Sequence, residues 1–220
     1  MVWICYIIML AVPYLLGGIN TSIIITKIKT GKDIRSMGSG NAGLTNTLRT
    51  QGKATAVVVL LGDVAKAVLA VLIVRFAFLL LGGVRTFDIA SGMTWVEYMA
   101  AFMTVVGHVF PVYYGFKGGK GVLAAISGIF VLDWRIGCIL LGIFIILVAA
   151  TRYVSLGSCV SSALFCVCAA LFGALVDHDP CFIVNAIIGA FTGGLIIFMH
   201  RGNIERLINH TEKKLGEKSK

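Results

Sequence analysis

Residues 54 to 81 run ATAVVVLLGDVAKAVLAVLIVRFAFLLL, twenty-eight residues with three charged side chains among them. A helix needs roughly 20 mostly apolar residues, at about 1.5 Å each, to cross some 30 Å of hydrocarbon. Further stretches of this kind lie near residues 2 to 26, 95 to 114, 157 to 176 and 181 to 199. They take up most of a 220-residue chain that is 58% hydrophobic and only 13% charged, where an ordinary soluble domain is about a quarter charged. The expectation is one all-α integral membrane domain over residues 1 to 220, with short loops and one tail. Met1 is followed by VWICYIIML with no basic leader, so the first apolar segment is expected to stay as a span.

The segment VLAAISGIFVLDWRIGCILLGIFIILVAA, residues 122 to 150, is too long for one ordinary span and carries Asp133, Trp134 and Arg135 at its middle. One tilted helix would bury two charges, at about 2.5 to 3.5 kcal/mol apiece; two short helices would place the turn at an interface, where tryptophan is favoured. Lysine and arginine placement favours the split. With seven spans, one side carries Lys27, Lys29, Lys32, Arg35, Arg49, Lys53, Lys117, Lys120, Arg152, Arg201, Arg206, Lys213, Lys214, Lys218 and Lys220, and the other carries Arg85 and Arg135. Fifteen against two obeys the positive-inside rule, which puts the N-terminus outside and the C-terminus inside. Lys66 and Arg75 fall within the second span. Asp63, three residues before Lys66, marks a structural ion pair in preference to a catalytic one, and Arg75 is expected to snorkel outward.

The net charge of +9 then gathers on four polar stretches of one membrane face: DIRSMGSGNAGLTNTLRT (33 to 50), GHVFPVYYGFKGGKGV (107 to 122), RYVSLGS (152 to 158) and HRGNIERLINHTEKK (200 to 214). Glycines let backbone N–H groups converge on an oxyanion, and a helix starting just after them adds a positive dipole end. This placement points to anionic lipid or phosphate and away from nucleic acid. GGKG is no nucleotide-binding P-loop, because Tyr114 stands where its leading glycine belongs and Gly121 where its hydroxyl residue belongs. No metal is expected, since His108, His178, His200 and His210 are scattered without a carboxylate cluster. The six cysteines lack metal-site spacing and are read as small buried hydrophobes. Catalysis without cofactor must rest on fixed cations and hydrogen-bond donors.

Taken together, GSGNAGLTNTLR, GHVFPVYYGFKGGKGV, RYVSLGS and HRGNIERL with TEKK closely resemble the motifs, in the same order, of the bacterial acyl-phosphate:glycerol-3-phosphate acyltransferases, the PlsY family. The chain departs from that pattern at Leu44, Leu123, Ala124 and His210. The resemblance implies seven transmembrane helices, two of them short, in a bacterial cytoplasmic membrane. Active-site loops at 31–53, 115–121, 151–158 and 200–214 would face the cytoplasm. It implies transfer of a fatty acyl group from acyl phosphate to the 1-hydroxyl of glycerol 3-phosphate, giving lysophosphatidic acid and phosphate, with a soluble acyl-phosphate-making enzyme as a partner. Carried onto this sequence, the catalytic residues are Ser39, Arg49, Lys120, His200 and Asn203. The binding residues are Gly40, Asn41, Asn46, Lys117, Gly118, Gly119, Gly121, Arg152, Ser155, Ser158 and Arg201. Amides of Gly118, Gly119 and Gly121 would cradle one phosphate beside Lys120. Ser39 has no neighbouring base, so direct attack by the substrate hydroxyl is preferred to an acyl-serine. His200 is either a helix-end histidine at the interface or a substrate-binding and proton-handling group.

Two rival functions fit less well. Acyltransferases that use acyl-CoA or acyl carrier protein share an H-x-x-x-x-D signature, but the residues five after the four histidines are Tyr113, Ile183, Glu205 and Leu215. A transporter of phosphate esters would carry its basic groups near the bilayer midplane on broken helices.

Overall fold

The computed structural model describes residues 2–217; Lys218 and Lys220, counted above with the basic face, lie outside the described residues. The described residues form helices and no strand. In chain order these are α1 (Val2–Gly18), α2 (Thr21–Thr30), α3 (Leu44–Gln51), α4 (Lys53–Gly82), α5 (Trp95–Val109), α6 (Val122–Leu132), α7 (Trp134–Thr151), α8 (Val154–Leu171), α9 (Phe182–Met199) and α10 (Arg201–Ile208). Six rods are long and apolar enough to cross a membrane, with α1 and α2 together counting as one over Trp3–Thr30 and α8 running on to Val176.

Local chemistry sets the boundaries. The first rod breaks because Asn20, fully buried, caps α2 by accepting from the Ile23 N–H, which leaves the Ile19 carbonyl outside the helical ladder. Its Nδ2 also donates to the Ala42 carbonyl at 3.2 Å, tying the break to the glycine-rich loop before α3. The long segment 122–150 divides at Asp133, whose carboxylate caps α7 by accepting from the Arg135 N–H at 2.8 Å. The expectation of two short helices needs correction: α7 has 18 residues, and only α6, with 11, falls short of a span. At about 1.5 Å per residue α6 covers roughly half of a hydrocarbon core. The rest of that path is taken by the loop before it, whose Gly119 and Gly121 are buried inside the bundle.

In lipid no hydrophobic force draws apolar helices together, so close backbone approach and polar staples must hold them. Helix α1 packs along α4 and α5, α8 along α7 and α9, and α6 against α4, α5 and α7. At Gly107 the α5 backbone comes so near the Tyr14 carbonyl of α1 that a methyl group there would overlap it. Phe78, Val74, Cys5 and Met9 fill the first seam, with the Tyr6 ring stacked on Trp95. Of the six cysteines only Cys5 and Cys181 are buried; Cys138 is exposed and the others are intermediate, so burial accounts for two of them.

Polar staples concentrate at the end of the bundle formed by the α4–α5, α6–α7 and α8–α9 connections. Arg75 does not snorkel. It makes a two-pronged pair with Glu97, at 2.9 and 2.6 Å, and Thr86 donates to the same carboxylate at 2.7 Å. A planar guanidinium inside a bundle gains more from a carboxylate fork than from reaching for water. Arg135 bridges Asp133 and Asp177 at 2.6 Å each, and Asp179 receives Thr94, Asn185 and the Cys181 N–H.

Candidate active site

At the opposite end of the bundle a cleft of about 1120 Å³ opens between the loop before α3, the loop before α6, and helices α3, α4 and α6–α10. One part is polar, lined by Ser39, Gly40, Asn41, Arg49, Lys120, Ser155, His200 and Asn203. The other is apolar, lined by Ile126, Ile129, Leu140, Leu141, Phe144 and Phe165 on α6, α7 and α8.

The loop before α3 winds around Asn46. That side chain is 1% exposed, accepts from the Ser39 N–H at 3.0 Å and donates to the carbonyls of Met37 and Asn41 at 2.9 and 3.0 Å. Its hydrogen-bonding capacity goes into shaping the loop, which leaves the Ser39 hydroxyl exposed at the rim. Arg49, one turn further along α3, lines the cleft, and its guanidinium has no hydrogen bond or ion pair among the described residues. Arg35 clamps this loop to the next one. It is held by Asp33 at 2.7 Å, and its Nη1 donates to the carbonyls of Tyr114 and Lys117 at 2.9 and 2.8 Å. That fork holds the Asp33 carboxyl below the usual carboxylate range.

The GFKGGKGV loop folds back onto the end of α5. The amides of Gly118 and Gly119 donate to the carbonyls of Val109 and His108, at 3.0 and 3.1 Å, and neither residue lines the cleft. Gly119 sits where a Cβ would strike both the His108 ring and the Ala42 carbonyl, so close packing requires glycine here. Lys117 points away, exposed. Lys120 and Gly121 do line the cleft. Lys120 is half-buried and donates to the Asn203 Oδ1; burial pushes its ammonium down to about 8.

The last two stretches meet through a residue not assigned a role from sequence, Glu212. Its Oε1 receives Asn203 Nδ2 at 2.6 Å and the Ser155 hydroxyl at 2.8 Å, and its Oε2 receives Arg206 Nε at 2.7 Å. Burial pushes this carboxyl upward, and the donors Asn203, Arg206 and Ser155 outweigh it, so its net shift is downward. Glu212 and Arg206 both lie inside quoted motifs, but nothing in spacing alone signals their pairing, six positions apart across the end of α10. Ser158 donates to the Val154 carbonyl at 2.9 Å. Arg152 stands outside the cleft and ties down the tail, with Nη2 donating to the Leu215 carbonyl and its own carbonyl accepting the Leu215 N–H, both at 2.8 Å. Arg201 lies at the rim over the Phe198 ring, 4.6 Å from its centroid.

His200 is buried, and its Nδ1–H donates to the Ile196 carbonyl at 2.8 Å, which leaves Nε2 as the acceptor nitrogen. Burial, reinforced by the nearby Lys120 charge, pushes it down to about 4, so the ring is neutral at pH 7. Among the described residues no group of three histidine, cysteine or carboxylate side chains could hold a metal ion. The cleft therefore sets Arg49 and Lys120, neither of them in an ion pair among the described residues, among neutral donors and a neutral imidazole beside a greasy extension. Such a site suits an anionic head carrying or meeting an apolar chain.

Comparison with known proteins agrees with that chemistry. Residues 7–210 match the family model for glycerol-3-phosphate acyltransferase. A glycerol-3-phosphate acyltransferase of Clostridioides difficile (strain 630) is 43% identical over 213 residues, covering 97% of each chain. One from Francisella tularensis subsp. tularensis (strain SCHU S4 / Schu 4) is 35% identical over 211 residues, 94% of this chain and 91% of that one. The crystal structure of PlsY (YgiH), an integral membrane glycerol 3-phosphate acyltransferase, in its glycerol 3-phosphate form superposes with a TM-score of 0.77 at 31% identity over 96% of both chains. The lysophosphatidic acid form gives 0.74 at 30% identity over 96% of this chain and 95% of that one. With agreement in sequence and fold along nearly its full length, this chain belongs to the PlsY family of integral membrane glycerol-3-phosphate acyltransferases.

Proposed function

We propose that the protein transfers a fatty acyl group from acyl phosphate to the 1-hydroxyl of glycerol 3-phosphate, giving lysophosphatidic acid and inorganic phosphate. The observation that carries this is that Arg49, whose guanidinium has no counter-ion among the described residues, and the half-buried Lys120 line one cleft, whose far part is lined by Ile129, Leu140, Phe144 and Phe165. Two anionic reactants have to be brought together, and acyl phosphate already carries a good leaving group. Charge compensation and orientation are therefore the main catalytic tasks.

In this mechanism Arg49 and Lys120 hold phosphate oxygens, while Ser39 and Asn203 orient the reacting groups. The hydroxyl of glycerol 3-phosphate attacks the acyl carbon and the C–O bond to the leaving phosphate breaks. The hydroxyl proton ends on phosphate. His200, neutral with Nε2 as acceptor, accepts a hydrogen bond from the attacking hydroxyl; pushed down to about 4, it is too weak a base to keep the proton. The apolar part of the cleft receives the acyl chain. Gly40, Asn41, Gly121, Ser155, Ser158 and Arg201 lie around the same space and belong to the binding surface. Asn46 lines the same space while holding its loop together, and Gly118, Gly119 and Arg152 support the surface from behind, through the loop and tail contacts described above.

The chain is further proposed to cross the bacterial cytoplasmic membrane seven times, with α6 and its recessed loop making one passage. The N-terminus lies outside, and the cleft faces a cytoplasm from which a soluble enzyme supplies acyl phosphate. The basic bias of the cleft-side loops supports this orientation. Purified protein in detergent should form lysophosphatidate from acyl phosphate and glycerol 3-phosphate, and should fail with acyl-CoA. Equal or better turnover of acyl-CoA would overturn the donor assignment. Cysteine labelling that finds position 117 and the tail on opposite sides would overturn the topology.

A further inference from the structure

In the wall of the cleft lies a polar cluster with no part in the mechanism above. Lys66, on α4 and 5% exposed, has three acceptors around its Nζ: Asp63 Oδ1 at 2.9 Å, the Ile19 carbonyl at 2.8 Å and His108 Nδ1 at 2.9 Å. The Ile19 carbonyl is the group released by the break between α1 and α2, and the Thr21 hydroxyl donates to Asp63 at 3.3 Å. The ion pair expected from the Asp63 and Lys66 spacing forms, but it does more than neutralise a charge. Three acceptors match the three N–H bonds of an ammonium, so Lys66 donates to the histidine. Nδ1 is then the acceptor of a neutral ring whose proton sits on Nε2.

His108 is 3% exposed and lines the cleft. Its Nε2 makes no hydrogen bond among the described residues, and it is not among the polar atoms sealed from solvent without a partner. Only glycine at position 119 leaves this nitrogen uncovered, because a Cβ there would lie against it. A cluster this costly to bury inside a bundle is strong ground for looking to function.

We propose that His108 is a further residue of the acyl transfer site. Its Nε2–H donates to an anionic oxygen of the reactants, and Lys66, anchored by Asp63 and the Ile19 carbonyl, is the positioning residue that fixes the tautomer and polarises the ring. The oxygen belongs either to a substrate phosphate or to the oxyanion that forms on the acyl carbon. The inference rests on the proposed function for what enters the cleft, and not for the state of the ring.

Two substitutions separate a donor from a structural part. The amide of His108→Asn reaches only as far as Nδ1, keeping a partner for Lys66 and losing the donor. The amide of His108→Gln reaches as far as Nε2 and restores one. His108→Asn should lower kcat/KM about 100-fold, the scale of one lost oxyanion donor, and His108→Gln should recover most of that loss. A fall in kcat assigns the oxyanion, and a rise in KM for glycerol 3-phosphate assigns the phosphate. Near wild-type turnover in His108→Asn, or a glutamine variant no better than the asparagine one, overturns the proposal, since a purely structural histidine would favour asparagine. Should the variants not fold, nitrogen NMR of the histidine-labelled wild-type protein in detergent decides. His108 should carry its proton on Nε2, opposite to His200, and its Nε2 signal should move on addition of glycerol 3-phosphate. A proton on Nδ1, or a signal unmoved at saturation, overturns it. A wild-type enzyme inactive with acyl phosphate would count against the proposed reaction while leaving the NMR result to decide the ring.

Discussion

The two ends of the bundle handle charge in opposite ways. At the end away from the cleft, Arg75 is matched by Glu97, and Arg135 by Asp133 and Asp177. At the cleft, Arg49 has no partner among the described residues, and Lys120 donates to the neutral amide of Asn203 with Glu212 near it but in no ion pair with it. Both ends are polar islands on an apolar bundle. Saturated guanidinium forks serve as staples between helices, whereas cations held in place without a carboxylate are arranged to receive an anion from outside. Glu212 shows how the cleft keeps this property. It is the carboxylate nearest the working groups, and its oxygens are taken by Ser155, Asn203 and Arg206.

The contrast can be broken most severely at Arg49. Arg49→Ala should cut kcat/KM by about a thousandfold, the upper range for losing one transition-state contact, with little change in unfolding temperature. Arg49→Lys should recover only part, because an ammonium keeps the charge and loses the fork. At the other end the result should invert. Glu97→Gln leaves the Arg75 guanidinium without its counter-ion, a loss of about 3–5 kcal/mol for a buried pair, which at about 2–4 °C per kcal/mol for a chain of this size lowers Tm by roughly 10 °C. Activity per folded molecule should hold at low temperature. A Glu97→Gln enzyme with normal Tm and poor turnover would erase the division of labour between the ends.

A smaller effect should come from pH. Burial pushes the Lys120 ammonium down to about 8, so it is charged below that pH and neutral above it. Affinity for glycerol 3-phosphate should therefore fall as pH rises through 8, by up to about tenfold per unit if the charge is essential. Stability should move the other way. Between about 8 and the ordinary lysine range the unfolded chain binds more protons than the folded one, so the contribution of Lys120 to stability rises with pH in that window. Isothermal titration and thermal melts at pH 7, 8 and 9 give both signs. The smallest effect is expected at Lys117, exposed and outside the cleft, where substitution by alanine should change kcat/KM by less than about threefold.

Much of the site was legible because each polar residue stands out against an apolar background. Ser39, Arg49, Lys120, His200 and Asn203 lie in three separated stretches, and the fold brings all five to one cleft. What sequence left hidden was the direction in which each group is turned. Asn46 looks like a ligand and is the core of its loop; Gly118 and Gly119 look like an anion cradle and give their amides to the end of α5. Arg152 looks like a phosphate contact and fastens the tail. A donor's identity is written in the sequence, but its partner depends on which backbone carbonyl happens to lie within 3 Å.

By itself the sequence determined the all-helical membrane architecture, because runs of apolar residues leave a chain in lipid no other way to satisfy its backbone. It also determined the break at Asp133, because a carboxylate in that position caps the helix that follows. Tertiary structure alone decided that α6 is short and α7 full length, that Arg75 turns inward to Glu97, and that Lys66 lies against His108. Those outcomes depend on contacts between residues 22 to 56 positions apart. Local pattern records which groups need a partner, and only packing in three dimensions settles which partner each one finds.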